Sequence, residues 1–207
     1  MLDVEAFILV GGESSRMGSD KSQLAFDGQT GLERIAAALR ALPSEVRLVG
    51  SRDRRGVSAF ENIPDTHERW GALGGIHAAL EACRAEWAVI VACDLPLVTG
   101  ALFSRLGEFT RQVQPQPFDA IVPIQPDGRP QPLSAFYRRE SCLRAAERLI
   151  AAGEHTPREL LANVLTRWVE FHEISDLPDA ESFFLNVNAP ADYEHAKQIL
   201  DQLQKRS

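Results

Sequence analysis

The stretch Leu9-Val-Gly-Gly-Glu-Ser-Ser-Arg-Met-Gly-Ser-Asp-Lys21 carries the residue types of a polyphosphate cradle. Glycines without Cβ atoms let backbone N–H groups approach an anion closely, and Arg16 and Lys21 add positive charge where oxyanions would lie. The spacing separates this loop from two common nucleotide loops. A Walker loop needs a second glycine five residues after the first, with lysine immediately following. Here Met17 stands five after Gly12, and Lys21 comes three after Gly18. The dinucleotide fingerprint G-x-G-x-x-G is absent as well, because Gly11 and Gly12 are adjacent. An ordinary βα turn would not need Ser14, Ser15, Arg16 and Lys21 together, so a phosphate loop of a third kind is expected.

A second candidate is Asp94, in Cys93-Asp94-Leu95-Pro96. It follows an apolar run and precedes a stiff Leu-Pro. A carboxylate so placed can bind Mg²⁺, which prefers carboxylate, water and phosphate oxygens; it can also cap a helix or close a turn. Beside a phosphate loop on the same sheet edge, metal binding is the favoured reading. Asp65, in Pro64-Asp65-Thr66, stands ahead of the glycine-rich Gly71-Ala-Leu-Gly-Gly75 and can accept hydrogen bonds from a base or ribose, although Pro-Asp is also a common turn. Pro130-Gln-Pro-Leu-Ser-Ala-Phe-Tyr137 and Asn186-Val-Asn188 complete the polar clusters. Taken alone, each of these two reads more readily as sheet structure than as a ligand site.

The elements that would position these groups alternate. Ala6-Phe-Ile-Leu-Val10 reads as a buried strand running into the glycine loop. Over Gly31–Leu42, Leu32, Ile35, Ala36, Leu39 and Leu42 share one helical face, closed by Pro43. Val46–Val49 is a short strand, Ser51–Gly56 a charged turn and Gly71–Cys83 a second helix. Trp87–Ala92 is a strand apolar on both faces, and Thr99 caps a helix running to about Val113. Phe118–Ile124 is a strand before the Pro126-Asp-Gly128 turn, and Pro132–Arg138 is extended. Glu140–Ala152 is a helix, Thr156-Pro157 opens a short one, Trp168–Ile174 and Phe183–Val187 read as strands, and Ala191–Lys205 is a terminal amphipathic helix. Strands alternating with helices of ten to fifteen residues imply βαβ units and a mostly parallel sheet, with two antiparallel pieces in the second half. The expected fold is α/β, a single-domain Rossmann-like three-layer sandwich. In such sheets ligands bind beyond the carboxyl ends of the strands, where both the glycine loop and Asp94 fall.

Composition removes several function classes. With 207 residues, 44% apolar and 25% charged, the chain has the make-up of one globular domain. A net charge of −7 argues against general nucleic-acid binding, but leaves room for a small phosphorylated ligand. No window approaches the run of about 20 apolar residues needed to span a membrane, and the acidic Met1-Leu-Asp-Val-Glu5 does not resemble a signal peptide. Cys83, Cys93 and Cys142 form neither a disulfide framework nor a zinc site, which points to the cytoplasm. The five histidines show no ligand spacing, and no G-x-S-x-G elbow supports serine hydrolysis.

Together these segments resemble the molybdenum cofactor guanylyltransferase family (MobA-like), within the wider nucleotidyltransferase superfamily whose fold is that of the nucleotide-diphospho-sugar transferases. The family pattern runs L-A-G-G-x-S-x-R-M-G-x-D-K, then P-D before G-P-L-x-G, then C-D-x-P, Q-P-L-x-A-L-Y and N-V-N-T-P. This chain matches it in order at Leu9–Lys21, Pro64-Asp65, Gly71–Gly75, Cys93–Pro96, Gln131–Tyr137 and Asn186–Pro190. The resemblance implies a nucleotide-binding half over about residues 1–115 and an acceptor-binding half over about 116–207. Leu9, Val10, Gly11 and Gly12 would contact the guanine nucleotide, largely through backbone. Arg16 and Lys21 would hold the phosphates, Asp65 would lie near the guanosine, and Asp94 would bind Mg²⁺. Gln131 and Asn188 would face the pterin. Val10, Ala72 and Ala189 replace an alanine, a proline and a threonine of the pattern, and the family's asparagine after the second strand has Ser51 at its place.

The implied reaction is attack of the molybdopterin phosphate on the α-phosphorus of GTP with release of pyrophosphate, in a protein that would also meet other cofactor-biosynthesis proteins transiently. A cytidylyltransferase for the same pterin is the nearest rival. Its first motif resembles L-A-A-G, so Gly11 and Gly71-Ala-Leu-Gly74 favour guanine. The same fold acting on another phosphorylated metabolite is a second rival. A nucleotide-sensing adaptor without catalysis is a third, disfavoured because Arg16, Lys21 and Asp94 are all present. A dehydrogenase lacks its fingerprint.

Overall fold

Two central strands covered on both faces organise the molecule. In a computed structural model, which describes residues 2–10, 24–26, 28–50, 60–65, 70–112 and 116–205, the strands Val4–Leu9 (β1) and Trp87–Ala92 (β6) lie side by side and parallel at the centre of a seven-stranded sheet. Successive residues of a strand point to opposite faces, so a strand covered on both sides must be apolar throughout. Along β6, Trp87, Val89 and Val91 enter one hydrophobic cluster, and Ala88 and Ile90 enter the other. That explains the uninterrupted apolar run.

The helices Gly31–Leu39 (α1) and Gly100–Phe109 (α3) cover one face, with Leu32, Ile35, Leu39, Leu102, Phe103 and Leu106 buried against it. Gly71–Ala82 (α2), Arg139–Ala151 (α4) and Pro157–Ala162 (α5) cover the other. Fully burying each Leu or Ile contributes roughly 1.5–3 kcal/mol, and the two layers account for most of the core. Helix starts follow their sequence signals. Thr30 and Glu33 form a capping box, Thr99 accepts from the Leu102 N–H, and Thr156 precedes Pro157 at the first turn of α5.

Val46–Val49 (β4) and Glu61–Ile63 (β5) continue the sheet in parallel beyond β1. On the other side Ser134–Arg138 (β8) pairs antiparallel with both β6 and Ala120–Pro123 (β7), and Thr166–Val169 (β9) runs parallel to β7. The spatial order is therefore β5-β4-β1-β6-β8-β7-β9, with β8 alone reversed. A small hairpin, Ala25–Phe26 (β2) and Gln29–Thr30 (β3), turns at Gly28, whose φ of 80° suits a residue without Cβ. The terminal helix Pro190–Gln204 (α6) packs on this hairpin through a third cluster of Phe26, Leu97, Val187, Ala196 and Leu200.

The α/β three-layer expectation holds, and the differences are local. Phe183–Val187 is not a strand. A 3-10 turn, Ala180–Ser182, leads into it after Asp179 takes a left-handed φ of 63°. Phe183 and Phe184 instead pack edge to face within the first cluster, Val187 is buried in the third, and the Val187 N–H goes to the Asp94 carbonyl rather than to a ladder. The strand expected over Trp168–Ile174 stops at Val169, because Glu173 accepts from the Glu170 N–H and pairs with Arg167, closing a 3-10 turn at Phe171–Glu173. The sheet thus has one reversed strand in the second half, not two. The first helix ends at Leu39 and α3 at Phe109, where the Thr110 hydroxyl donates to the Gly107 carbonyl. The expected turn at Ser51–Gly56 lies outside the described residues.

Candidate active site

Six strands run the same way, so their carboxyl ends form one edge, and backbone hydrogen bonds stitch the turns along it. Gly50 N–H donates to Ile63 O at 3.0 Å, Val10 N–H to Val49 O at 2.8 Å, and Cys93 N–H to Leu9 O at 3.1 Å. The reversed strand β8 presents its amino end here, and Ala92 N–H donates to Leu133 O at 2.9 Å. Val187 N–H to Asp94 O, at 2.8 Å, joins the carboxy-terminal segment to the same edge. Leu9, Val10, Asp65, Asp94, Gln131 and Asn188, scattered through the sequence, are thereby ranged along one side of the sheet. Gly11, Gly12, Arg16 and Lys21 lie outside the described residues. They follow directly on Val10, so the loop starts from this edge.

Asp94 stands at the end of the fully buried β6, itself half-buried, on a turn closed by Leu95 N–H to Ala92 O. The Arg34 Nε donates to Pro96 O at 3.3 Å from α1, steadying the Leu-Pro that follows. Among the described residues no three His, Cys, Asp or Glu side chains are grouped to hold a metal. A lone carboxylate on a rigid turn suits Mg²⁺, which is held by one or two carboxylates together with waters and substrate phosphates, and does not suit an all-protein zinc or calcium cage. Burial pushes the Cys83 and Cys142 thiols up to about 12, so neither is a thiolate nucleophile near neutral pH.

Asp65 is half-buried two residues past the end of β5. The glycines after it divide into two roles. Gly71 begins α2 with a φ of 53° and open space around it, so it serves backbone conformation. Gly75 serves packing: a Cβ there would meet the Leu9 side chain at 3.1 Å. The close approach that Gly75 permits is thus made to Leu9. Leu9 itself is buried with its carbonyl occupied by Cys93, so its part is to seat the loop that follows.

Gln131 is half-buried between Pro130 and Pro132. Its N–H donates to Pro123 O at 2.9 Å, and its side-chain amide donates to Gln125 Oε1 at 3.0 Å. Asn188 is exposed at the start of α6, where Asp192 accepts from the N–H groups of Asn188 and Ala189 at 2.9 and 2.8 Å. Sequence reading missed Gln125, which aligns Gln131, and Arg34. A glutamine after a strand and an arginine in a helix give no local signal.

A family model described as the MobA-like NTP transferase domain matches residues 6–169. The chain belongs to the MobA-like NTP transferase family. Over 202 residues it is 32% identical to a protein of Carboxydothermus hydrogenoformans named a probable molybdenum cofactor guanylyltransferase, covering 96% of this chain and 98% of the relative. A protein of Chloroflexus aggregans with the same name is 35% identical over 205 residues, 91% of each chain. The crystal structure of molybdopterin-guanine dinucleotide biosynthesis protein A from Archaeoglobus fulgidus superposes with a TM-score of 0.76 at 26% identity, covering 96% of this chain and 99% of that one. The 2-C-methyl-D-erythritol 4-phosphate cytidylyltransferase of Thermus thermophilus shares the fold, with a TM-score of 0.65 at 18% identity, 94% of this chain and 98% of that one. This member of the MobA-like family is a nucleotidyltransferase. Its glycine loop, Asp94 turn and Gln131 segment all fall inside the matched span, whereas Asn188 falls beyond it.

Proposed function

We propose that this nucleotidyltransferase is a molybdenum cofactor guanylyltransferase, transferring GMP from GTP to the phosphate of molybdopterin. The observation that carries the reading beyond the relatives' names is the bond between Ala92 N–H and Leu133 O, 2.9 Å. It sets the Asp94 turn and the Gln131 segment side by side, nucleotide chemistry next to acceptor.

A phosphate oxygen of molybdopterin forms a bond to the α-phosphorus of GTP, and the bond from that phosphorus to the bridging β-phosphate oxygen breaks. Pyrophosphate leaves with the electron pair. Such chemistry depends on positioning and charge neutralisation rather than a covalent nucleophile. Gly11 and Gly12 bring backbone N–H groups to the phosphates. Arg16 and Lys21 neutralise the triphosphate, with Lys21 at the transferred phosphoryl. Asp65 accepts from the guanosine, Asp94 holds Mg²⁺, and Gln131 and Asn188 orient the pterin. Mg²⁺ held by Asp94 would supply positive charge to the phosphates and the leaving pyrophosphate.

No helix among the described residues is long and apolar enough to cross a membrane, and Cys83, Cys93 and Cys142 are not joined in disulfides. They fit a cytoplasmic enzyme that exchanges its pterin through transient contacts with other cofactor-biosynthesis proteins. Equilibrium titration with GTP, CTP and ATP in the presence of Mg²⁺ tests the base assignment. Tight binding of GTP alone is expected; tight CTP binding without GTP binding would make the protein a cytidylyltransferase.

A further inference from the structure

Tyr137 is wholly buried in β8, opposite Ala88 and Ala120 on the neighbouring strands, within the cluster under α2, α4 and α5. A phenylalanine ring would occupy the same apolar space, so packing alone gives the hydroxyl no purpose. A hydroxyl buried in apolar surroundings is costly unless bonded. This one reaches back along its own strand and donates to the Pro132 carbonyl at 2.6 Å.

Pro132 has no N–H, so its carbonyl is the only backbone polar group by which that residue can be held. Its neighbours on both sides are functional anchors. Gln131 donates from its N–H to Pro123 O and accepts at its carbonyl from Ser134 N–H at 3.1 Å, while Leu133 O receives Ala92 N–H two residues before Asp94. A shift at Pro132 therefore moves the Gln131 side chain and strains the tie to the metal-binding turn. We propose that Tyr137 is a positioning residue for the acceptor, its hydroxyl pinning the Gln131–Leu133 segment through the Pro132 carbonyl. Burial drives the phenol well above the ordinary tyrosine range, with the nearby Cys142 adding to it, so the hydroxyl remains a donor across any practical assay pH.

The inference rests on the assignment of Gln131 to the acceptor under the proposed function. The test is Tyr137→Phe, which keeps the ring, assayed with GTP, Mg²⁺ and molybdopterin. KM for molybdopterin should rise about three- to tenfold, the size expected when one neutral hydrogen bond is lost, while KM for GTP stays within about twofold. In a Gln131→Ala background the same substitution should add little, because both act on one contact. Equal rises in both KM values, or a full additive effect on Gln131→Ala, would overturn the role. A second measurement separates this from the choice of substrate. Amide hydrogen exchange at Gln131, Ser134 and Ala92, whose N–H groups donate to Pro123 O, Gln131 O and Leu133 O, should accelerate in substrate-free Tyr137→Phe. Unchanged exchange there overturns the pinning whichever nucleotide the wild-type protein uses. Failure of the wild type to transfer GMP, with accelerated exchange in the variant, overturns the acceptor role alone.

Discussion

The amino ends and the carboxyl ends of the strands are both polar, and they hold their polar groups in different ways. At the amino ends, arginines are consumed by structure. Arg47, 8% exposed, pairs with Glu5, donates to Ala82 O at 3.1 Å and lies 4.7 Å above the Phe7 ring. Arg138 repeats the arrangement, pairing with Glu86, donating to Phe118 O at 3.0 Å and lying 4.7 Å above Trp87. A cavity of about 380 Å³ opens between Asp3, Glu5, Glu45, Arg47, Glu61 and Arg84, but Glu5 already serves Arg47 and the Arg84 N–H at 3.0 Å. At the carboxyl ends the turns that carry Leu9, Asp94 and Leu133 are tied to one another by backbone hydrogen bonds. Charge that holds strands together at one end is thereby separated from the groups proposed to address a ligand at the other. The cavity lies at the amino ends, away from that proposed site.

Substitutions at the two ends should therefore fail differently. The largest effect is expected at Asp94. Asp94→Ala should lower kcat/KM by about 10²–10³, in line with removal of one preorganised electrostatic group, and should keep the Val187 bond, which uses the Asp94 backbone. A large fall in Tm with unchanged kcat/KM would erase the contrast. Arg47→Ala should do the reverse, costing about 2–4 kcal/mol by removing the charge partner of Glu5 and leaving it only the Arg84 N–H, read as a lower denaturation midpoint, with kcat unchanged at temperatures where the protein is folded.

Glu173 gives a smaller, pH-dependent effect away from both ends. Burial opposes its ionisation, but hydrogen bonds from Arg167 and the Glu170 N–H, with the Arg167 charge, outweigh that and hold its pKa below the ordinary glutamate value. A depressed carboxylate contributes stability that is present above its unfolded pKa and is lost as pH falls through the folded one. Wild type and Glu173→Gln should therefore differ by about 1 kcal/mol at neutral pH, converging as pH drops below the ordinary glutamate range in denaturant titrations. A constant gap at all pH values would contradict the pairing. The smallest change is expected at Ser134, whose Oγ is fully buried with no hydrogen-bond partner. Ser134→Ala should be neutral or stabilising by roughly 0.5–1 kcal/mol, because no bond is lost and a desolvated hydroxyl is removed. A clear destabilisation in thermal melts would mean that the hydroxyl is satisfied.

Much of this arrangement is legible in the sequence where local chemistry decides it. Trp87–Ala92 can only be a strand covered on both faces, and Thr30, Thr99 and Thr156 announce their helices. Glu61–Ile63 is not legible, because an edge strand of three residues lacks an apolar run and is defined by its pairing to β4. Phe183–Val187 misleads for a related reason: its apolar residues fit a strand, yet Phe183 and Phe184 fill one cluster, Val187 fills another, and the Val187 N–H is claimed by Asp94. In the proposed site, Asp94 carries the residue signature of metal chemistry, whereas Gln131 is marked only through the family resemblance. The hydroxyl of Tyr137 leaves none, since its bond to Pro132 exists only once β8 has formed.

The central claim is that the carboxyl edge performs guanylyl transfer to a pterin phosphate. Incubating the protein with molybdopterin, Mg²⁺ and GTP, CTP or ATP in turn, and following pyrophosphate release together with the dinucleotide product, tests it most directly. The account predicts release with GTP alone, with formation of molybdopterin guanine dinucleotide and loss of both in Asp94→Ala. Release with CTP but not GTP, or undiminished release in Asp94→Ala, would contradict it.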